Sequence, residues 1–410
     1  MKRRVLILMQ GNISLVPRAR KAIETIILTG WDVDIVMINR HPKWRNLDYP
    51  ILRALKAHFT YLSIRKDDGF FDWIISSIIA KATILLARFS HNIKLNAYAS
   101  SKVNLIYDLF KNRYLIGRKY DFVWGFNSIL FPSFHIAKKL NVPFAFDMED
   151  YHPLENIYHA NKEEEIKRRK RLLVDLLPKA AFVTYASPMI KAKSDELLSV
   201  NGVSTKCSEV INNTFNASDF KFAPCSDAKV QFVWFSQTIS YERGLEQILP
   251  ALNRFAAEIH LTIIGNLDPK FYDDILKPYD KIITIKPAMA QSDLHIELGR
   301  YDIGLSTEQS HQANDNGNRD LCLTNKIFSY LLAGLYIFAT NTPAQSVFIE
   351  SHLGSGTVSG QSTDEMLPVI KKIIDSIDSI RQEKSVRFEN ARKYGWEAEQ
   401  NKLTELIRSL

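Results

Sequence analysis

Residues 5–9 form a short apolar run closed by Gln10 and Gly11. An apolar periodicity of helical spacing follows from residue 17 to residue 29, Gly30 ends it, and a second apolar run occupies residues 33–38. Brief, wholly apolar runs between polar residues read as strands buried on both faces, and a glycine just past a periodic stretch reads as a helix C-cap. The order strand, glycine turn, helix, strand is a βαβ unit, and such units build parallel sheets.

The alternation continues. Strands are expected at 122–124, 144–146, 182–185 and 209–212, with a helix near 131–140. Residues 213–227 (NTFNASDFKFAPCSD) turn polar and irregular, which reads as a linker, and the pattern restarts with a strand at 230–235 and a helix from about Gly244. Strands at 261–264, 281–285, 303–305 and 336–339 then alternate with helices, including 325–332 and 364–380. The pattern predicts two doubly wound α/β domains, 1–218 and 219–386. A last helix over 396–410, within a terminal segment 387–410, carries Trp396, Leu403, Leu406 and Ile407 at helical spacing and needs a surface to pack on. In residues 161–177, Glu163, Glu164 and Glu165 precede Lys167, Arg168 and Arg169 by four positions, which suggests a solvated helix laced with ion pairs.

At 410 residues the chain is too long for one ordinary core, and with only 16 Gly and 15 Pro its bulk is neither disordered nor repetitive. Cys207, Cys225 and Cys322 lie far apart without metal-ligand spacing, so neither a disulfide framework nor a zinc site is expected. A reducing, cytoplasmic compartment follows. Five apolar residues at 5–9 fall short of the roughly 7–15 of a secretory leader. The charge is unevenly placed: residues 1–120 hold 21 Lys and Arg against 8 Asp and Glu. A basic first quarter suits anionic lipid headgroups, a phosphorylated substrate or nucleic acid, and no nucleic-acid-binding motif accompanies it. The longest apolar stretch, 70–89, falls in this basic part. Asp72, Ser76, Ser77, Lys81 and Arg88 interrupt it, which favours a core helix or one lying on the membrane over one that spans it.

Candidate chemistry sits at strand ends. The strand 144–146 delivers Asp147, Glu149, Asp150 and His152 together at its C-terminal end, where open α/β sheets bind ligands. Crowded carboxylates raise one another's pKa toward a useful base, and His152 titrates near neutrality when unperturbed. Gly11, in the first βα turn, leaves room for a ligand beside a helix N-terminus. In the second half, Ser236, Gln237, Thr238 and Arg243 follow a strand and suit diphosphate oxygens, with Glu308, Asn325 and Lys326 the next polar group. Lys326 opposes the macrodipole at its helix N-terminus, which makes sense if an anion sits nearby. Asp32 and Asp34 have the spacing of a metal-binding DxD pair but enter a strand directly, so no metal site is assigned.

These residues resemble the GT-B glycosyltransferases that use nucleotide sugars to build bacterial surface polysaccharides. Pro17, Arg18 and the segment Trp31, Asp32, Val33 are similar to that family's first helix and second strand. Asp147 to Pro153 resembles its D-x-H-E-x-x-P segment, and Trp234 to Glu246 the start of its donor domain. Thr324 to Gly334 resembles its K-x-x-E-Y-x-x-x-G helix and Tyr394 to Leu403 its last helix. The resemblance implies two Rossmann-like domains facing a central cleft, with the last helix crossing back to the first. It also implies an acceptor in the first domain and a nucleoside-diphosphate sugar in the second, as co-substrate with no other cofactor. Departures stand out: Glu149 takes the place of the family's histidine, Gln237 replaces a phosphate-binding cation, and Ser329 replaces the ribose-binding glutamate. The expected roles are proton transfer for Glu149, Asp150 or His152, and donor binding for Gly11, Ser236, Gln237, Thr238, Arg243, Glu308, Asn325 and Lys326. A sugar-nucleotide epimerase and a non-catalytic scaffold subunit of the same fold are the rival expectations.

Overall fold

The computed structural model describes residues 2–90, 92–155, 157, 161–310 and 317–410. The chain divides into two compact units, Met1–Ile211 with Gln400–Leu410, and Asn212–Glu399.

In the first unit the strands are β1 (Arg4–Met9), β2 (Asp32–Asn39), β3 (His58–Ser63), β4 (Phe122–Phe126), β5 (Phe144–Met148), β6 (Val183–Tyr185) and β7 (Ser208–Val210). They form one sheet in the order β3-β2-β1-β4-β5-β6-β7, and every pairing is parallel. Residues 5–9 are almost wholly buried, as a strand covered by helices on both faces requires. The strand order reverses between β1 and β4, and in open α/β sheets the crevice at the C-terminal ends of such strands is the usual ligand position. The helix Pro17–Leu28 begins with proline, whose missing N–H costs nothing there, and Gly30 follows its end at a φ of 90°.

In the second unit β8 (Val230–Ile239), β9 (Ile259–Leu267), β10 (Ile283–Lys286), β11 (Ile303–Ser306), β12 (Tyr336–Thr340) and β13 (Gly356–Ser359) make a parallel sheet in the order β10-β9-β8-β11-β12-β13. The winding of the first sheet is repeated, and the reversal lies between β8 and β11. One face is filled by Phe232, Trp234, Leu249, Leu261 and Ile370, the other by Val233, Ile327, Tyr330 and Ile337. The helix Asn325–Leu332 falls where its pattern predicts.

Several expectations change. The helix expected over 364–380 is two, Thr363–Asp375 and Ile377–Gln382, because Ser376 leaves the helical backbone at a φ of −105° and a ψ of 11°. The helix Lys162–Leu176 is not merely a solvated, ion-paired rod. Glu165 is wholly buried, taking Arg168 at 2.6 Å, Arg169 at 2.9 Å and the Ser100 hydroxyl. β3 and the helices Arg45–Leu55, Ile93–Ser100 and Lys102–Leu109 have no counterpart in the pattern-based reading. The stretch at 70–89 is the helix Phe70–Ala87. It is not a core helix, since most of its large side chains are exposed.

Candidate active site

In the first unit the chemistry gathers after β5. Asp147, the last inward carboxylate of that strand, is buried and held by a two-pronged bridge from Arg18, with Nε to Oδ2 at 2.8 Å and Nη2 to Oδ1 at 2.7 Å. A third guanidinium nitrogen, Nη1, donates to the Ile211 carbonyl. Arg18 lies on the same helix face as Ala22 and Ile26, both buried. A cation within an apolar stripe is the sequence signal that marks it, because burial of such a charge demands a partner. The pair fixes the strand end from which Glu149 and Asp150 emerge.

Glu149 is half-buried between Asp147 and Asp150. Burial and the Asp150 charge push its carboxyl up to about 7, while Arg18 and a hydrogen bond from Asn127 only partly offset them. Asn127, at the end of β4, holds its backbone at a φ of 62° and donates its N–H to the Asp147 carbonyl at 3.1 Å, which brings its side chain over the loop. Glu155 closes the cluster, and burial with the Asp150 charge pushes it up to about 8. The loop is braced from below by Arg169, whose Nη1 donates to the His152 carbonyl at 2.8 Å and the Glu155 carbonyl at 3.2 Å. Asn127, Glu155 and Arg169 are the residues that sequence reasoning missed. They come from three separate elements and share no motif.

His152 stands apart from these carboxylates. Its ring is buried edge-on to Phe146, its Nε2 has no partner among the described residues, and burial, with the nearby Arg169 charge, pushes it down to about 3. A neutral imidazole with so low a pKa is a poor proton acceptor at pH 7. Gly11 lies two residues past β1 and belongs to the first unit, while the other donor-binding candidates belong to the second. An added Cβ there would lie 3.7 Å from the Arg40 Cγ, an ordinary contact, so packing does not demand glycine. Asp34 is buried and paired with Arg118 and the Tyr120 hydroxyl, and Asp32 meets Arg4 at 3.4 Å. Both are engaged with partners. No three His, Cys, Asp or Glu side chains group as a metal site would need among the described residues.

In the second unit the candidates assemble at the reversal between β8 and β11. A bulge between Phe235 and Thr238 turns the end of β8, leaving Gln237 and Thr238 exposed and Ser236 half-exposed. The chain then reaches Arg243 and Gly244, where the helix Leu245–Asn253 starts. Gly244 has a φ of 82°, and a side chain on it would run into the Thr307 carbonyl. The Thr307 hydroxyl in turn donates to the Arg243 carbonyl at 3.1 Å. Arg243 is half-exposed and its guanidinium has no hydrogen-bond or ion-pair partner among the described residues.

Beyond β11, Glu308 is buried and caged by two cations, Lys326 at 2.8 Å and Arg319 at 3.0 Å. Burial pushes its carboxyl up, but Lys326 and Arg319 outweigh it, and the net direction is downward. The helix Asn325–Leu332 can approach β11 this closely because Gly304 has no side chain to meet the Tyr330 ring. The anion that makes sense of Lys326 at a helix N-terminus is thus Glu308 itself. The same ammonium lies 5.2 Å from the Trp234 ring centroid. Asn325 is half-exposed and accepts the Ser329 hydroxyl on its carbonyl, so Ser329 is turned back on its own helix.

No protein-family model and no curated protein matches the sequence. Solved structures do match across its length. HepE from Anabaena, solved with UDP, superposes with a TM-score of 0.63 at 12% identity, and the alignment covers 100% of both chains. A glycosyltransferase from Rickettsia africae gives 0.65 at 14% identity, again over 100% of both. The chain has the GT-B fold. A UDP-N-acetylglucosamine 2-epimerase also superposes, with a TM-score of 0.53 at 12% identity over 95% of this chain and 91% of the other. The choice among GT-B chemistries therefore rests on the site.

Proposed function

We propose that this protein is a glycosyltransferase that moves a sugar from a nucleoside-diphosphate sugar to a carbohydrate or lipid-linked acceptor, without a metal. Its setting is surface-polysaccharide synthesis in the cytoplasm, at the inner face of the membrane. The observation that carries the reading is Glu149, a carboxylate held near neutrality at the end of a central parallel strand of a GT-B fold. In this reading the acceptor hydroxyl gives its proton to Glu149 as its oxygen bonds to the anomeric carbon, and the nucleoside diphosphate departs with the electron pair of the broken glycosyl–phosphate bond. Arg243 and the N-terminal N–H groups of the helix Leu245–Asn253 offset the charge on the departing diphosphate. Lys326, already neutralised by Glu308, contributes less. HepE was solved with UDP and with UDP-glucose, which makes UDP-sugars the first donors to try.

A thermal-shift panel of UDP, GDP, CMP and their sugars tests the donor, because a ligand that binds only folded protein raises its apparent stability. Transfer releases nucleoside diphosphate only when an acceptor is supplied. The fold shared with the epimerase favours one second reading, and an altered sugar nucleotide formed without any acceptor would establish it in place of transfer.

A further inference from the structure

The helix Phe70–Ala87 is built inside out. Its inward stripe is small and polar: Ser76 is wholly buried, with Thr83 and Ala87 nearly so. Its outward stripe runs Phe71, Ile75, Ile78, Ala82, Leu85 and Phe89, each three or four positions after the last. Phe71 is 77% exposed, Ile78 64%, Leu85 58% and Phe89 88%. Leu86, beside this row, is exposed as well. Helices of soluble domains turn such a face inward, and large contiguous apolar patches mark binding surfaces. At 1.5 Å per residue the 18-residue helix presents a strip ~27 Å long.

We infer that this strip docks the first unit on an anionic lipid bilayer, lying in the interface. Charge selects this occupant. Lys81 and Arg88 are exposed along one border of the apolar stripe, and Lys66, just before the helix, lies over the Phe70 ring at 5.8 Å. Exposed apolar side chains bordered by cations suit a lipid surface of acidic headgroups. The +13 carried by residues 1–120 acts in the same direction. The helix has the length and apolarity to cross a membrane, with a mean hydropathy of 1.7, but its inward side is tied to its own unit. Lys102 Nζ donates to the Ser77 hydroxyl at 2.7 Å, and Arg113 Nη2 meets Asp72 at 2.9 Å. A helix held this way lies on the surface.

The full chain should co-sediment with phosphatidylcholine vesicles containing phosphatidylglycerol and bind pure phosphatidylcholine at least tenfold more weakly. Binding should fall at least tenfold in 0.5 M salt. Serine at Phe71, Ile78 and Leu85 together should abolish it, and K81E with R88E should weaken it at least tenfold. These side chains are solvent-exposed, so unchanged circular dichroism and thermal midpoint certify that the variants fold. Failure of the wild type to bind, equal binding to both vesicles, or retention by the triple serine variant would overturn the inference. So would a lipid-free dimer that the same triple variant dissociates, which would assign the face to a second copy of the chain. None of these readouts uses sugar transfer, so the result is independent of the proposed activity.

Discussion

Glu149 and Glu308 each lie just past the C-terminal end of a parallel strand, β5 in the first sheet and β11 in the second, and their charged surroundings drive them in opposite directions. Both are driven upward by burial, but Glu149 has carboxylates for neighbours and is pushed up to about 7, whereas Glu308 is clasped by Lys326 and Arg319 and held below its ordinary range. The first can gain and lose a proton at physiological pH. The second stays ionised and acts as a fixed counter-charge. Winding alone therefore supplies a position, and the local charge balance decides whether that position does chemistry or holds a frame.

The largest effect that would break this contrast is on Glu308. Glu308→Ala leaves two cations without their buried counter-ion, and unfolding in denaturant should show a loss of about 3–5 kcal/mol. A change below about 1 kcal/mol would show that Glu308 is no frame. Next in size, Arg243→Ala should weaken nucleoside-diphosphate binding by about 1.5–3 kcal/mol, roughly tenfold or more by calorimetric titration, with Arg243→Lys restoring only part. Unchanged affinity would remove the diphosphate from this site. The smallest effect is on the stability of the first unit. A carboxyl whose folded pKa is raised is penalised when ionised, so its contribution falls as pH rises from about 4.5 to about 7 and is flat above. Glu149→Gln should thus raise the thermal midpoint slightly at pH 8 and leave it unchanged at pH 4. Glu308 has the opposite sign, and its stabilisation is lost only as pH falls through its depressed pKa.

Much of the architecture is legible in the chain because it is local. The short apolar runs mark the strands, Gly30 and Pro17 mark helix ends, and the helix Asn325–Leu332 follows from its own periodicity. The site is legible only as an inventory. Residues 147–150 announce crowded carboxylates, but nothing in them tells which is pushed toward neutrality, since Arg18, Asn127 and Glu155 arrive from elsewhere in the chain. Lys326 suggests an anion, and only the fold reveals that the anion is Glu308. His152 stands beside Glu149 and Asp150 as a third candidate in the sequence, and only the fold shows its ring buried against Phe146. The helix Phe70–Ala87 fails differently. Its small and polar residues share the face that an amphipathic pattern would turn to solvent, and only the tertiary contacts place Ser76 and Thr83 inside.

The most direct test is the pH dependence of acceptor-dependent nucleoside-diphosphate release, measured for the wild type and Glu149→Gln with the donor that the binding panel identifies. The wild-type rate should rise with pH through a midpoint near 7, as a base must lose its proton to act. Glu149→Gln should lose that limb and fall by about 10²- to 10⁴-fold while its nucleotide affinity stays the same. A variant within tenfold of the wild type and showing the same limb would contradict the assignment of Glu149 as the proton acceptor.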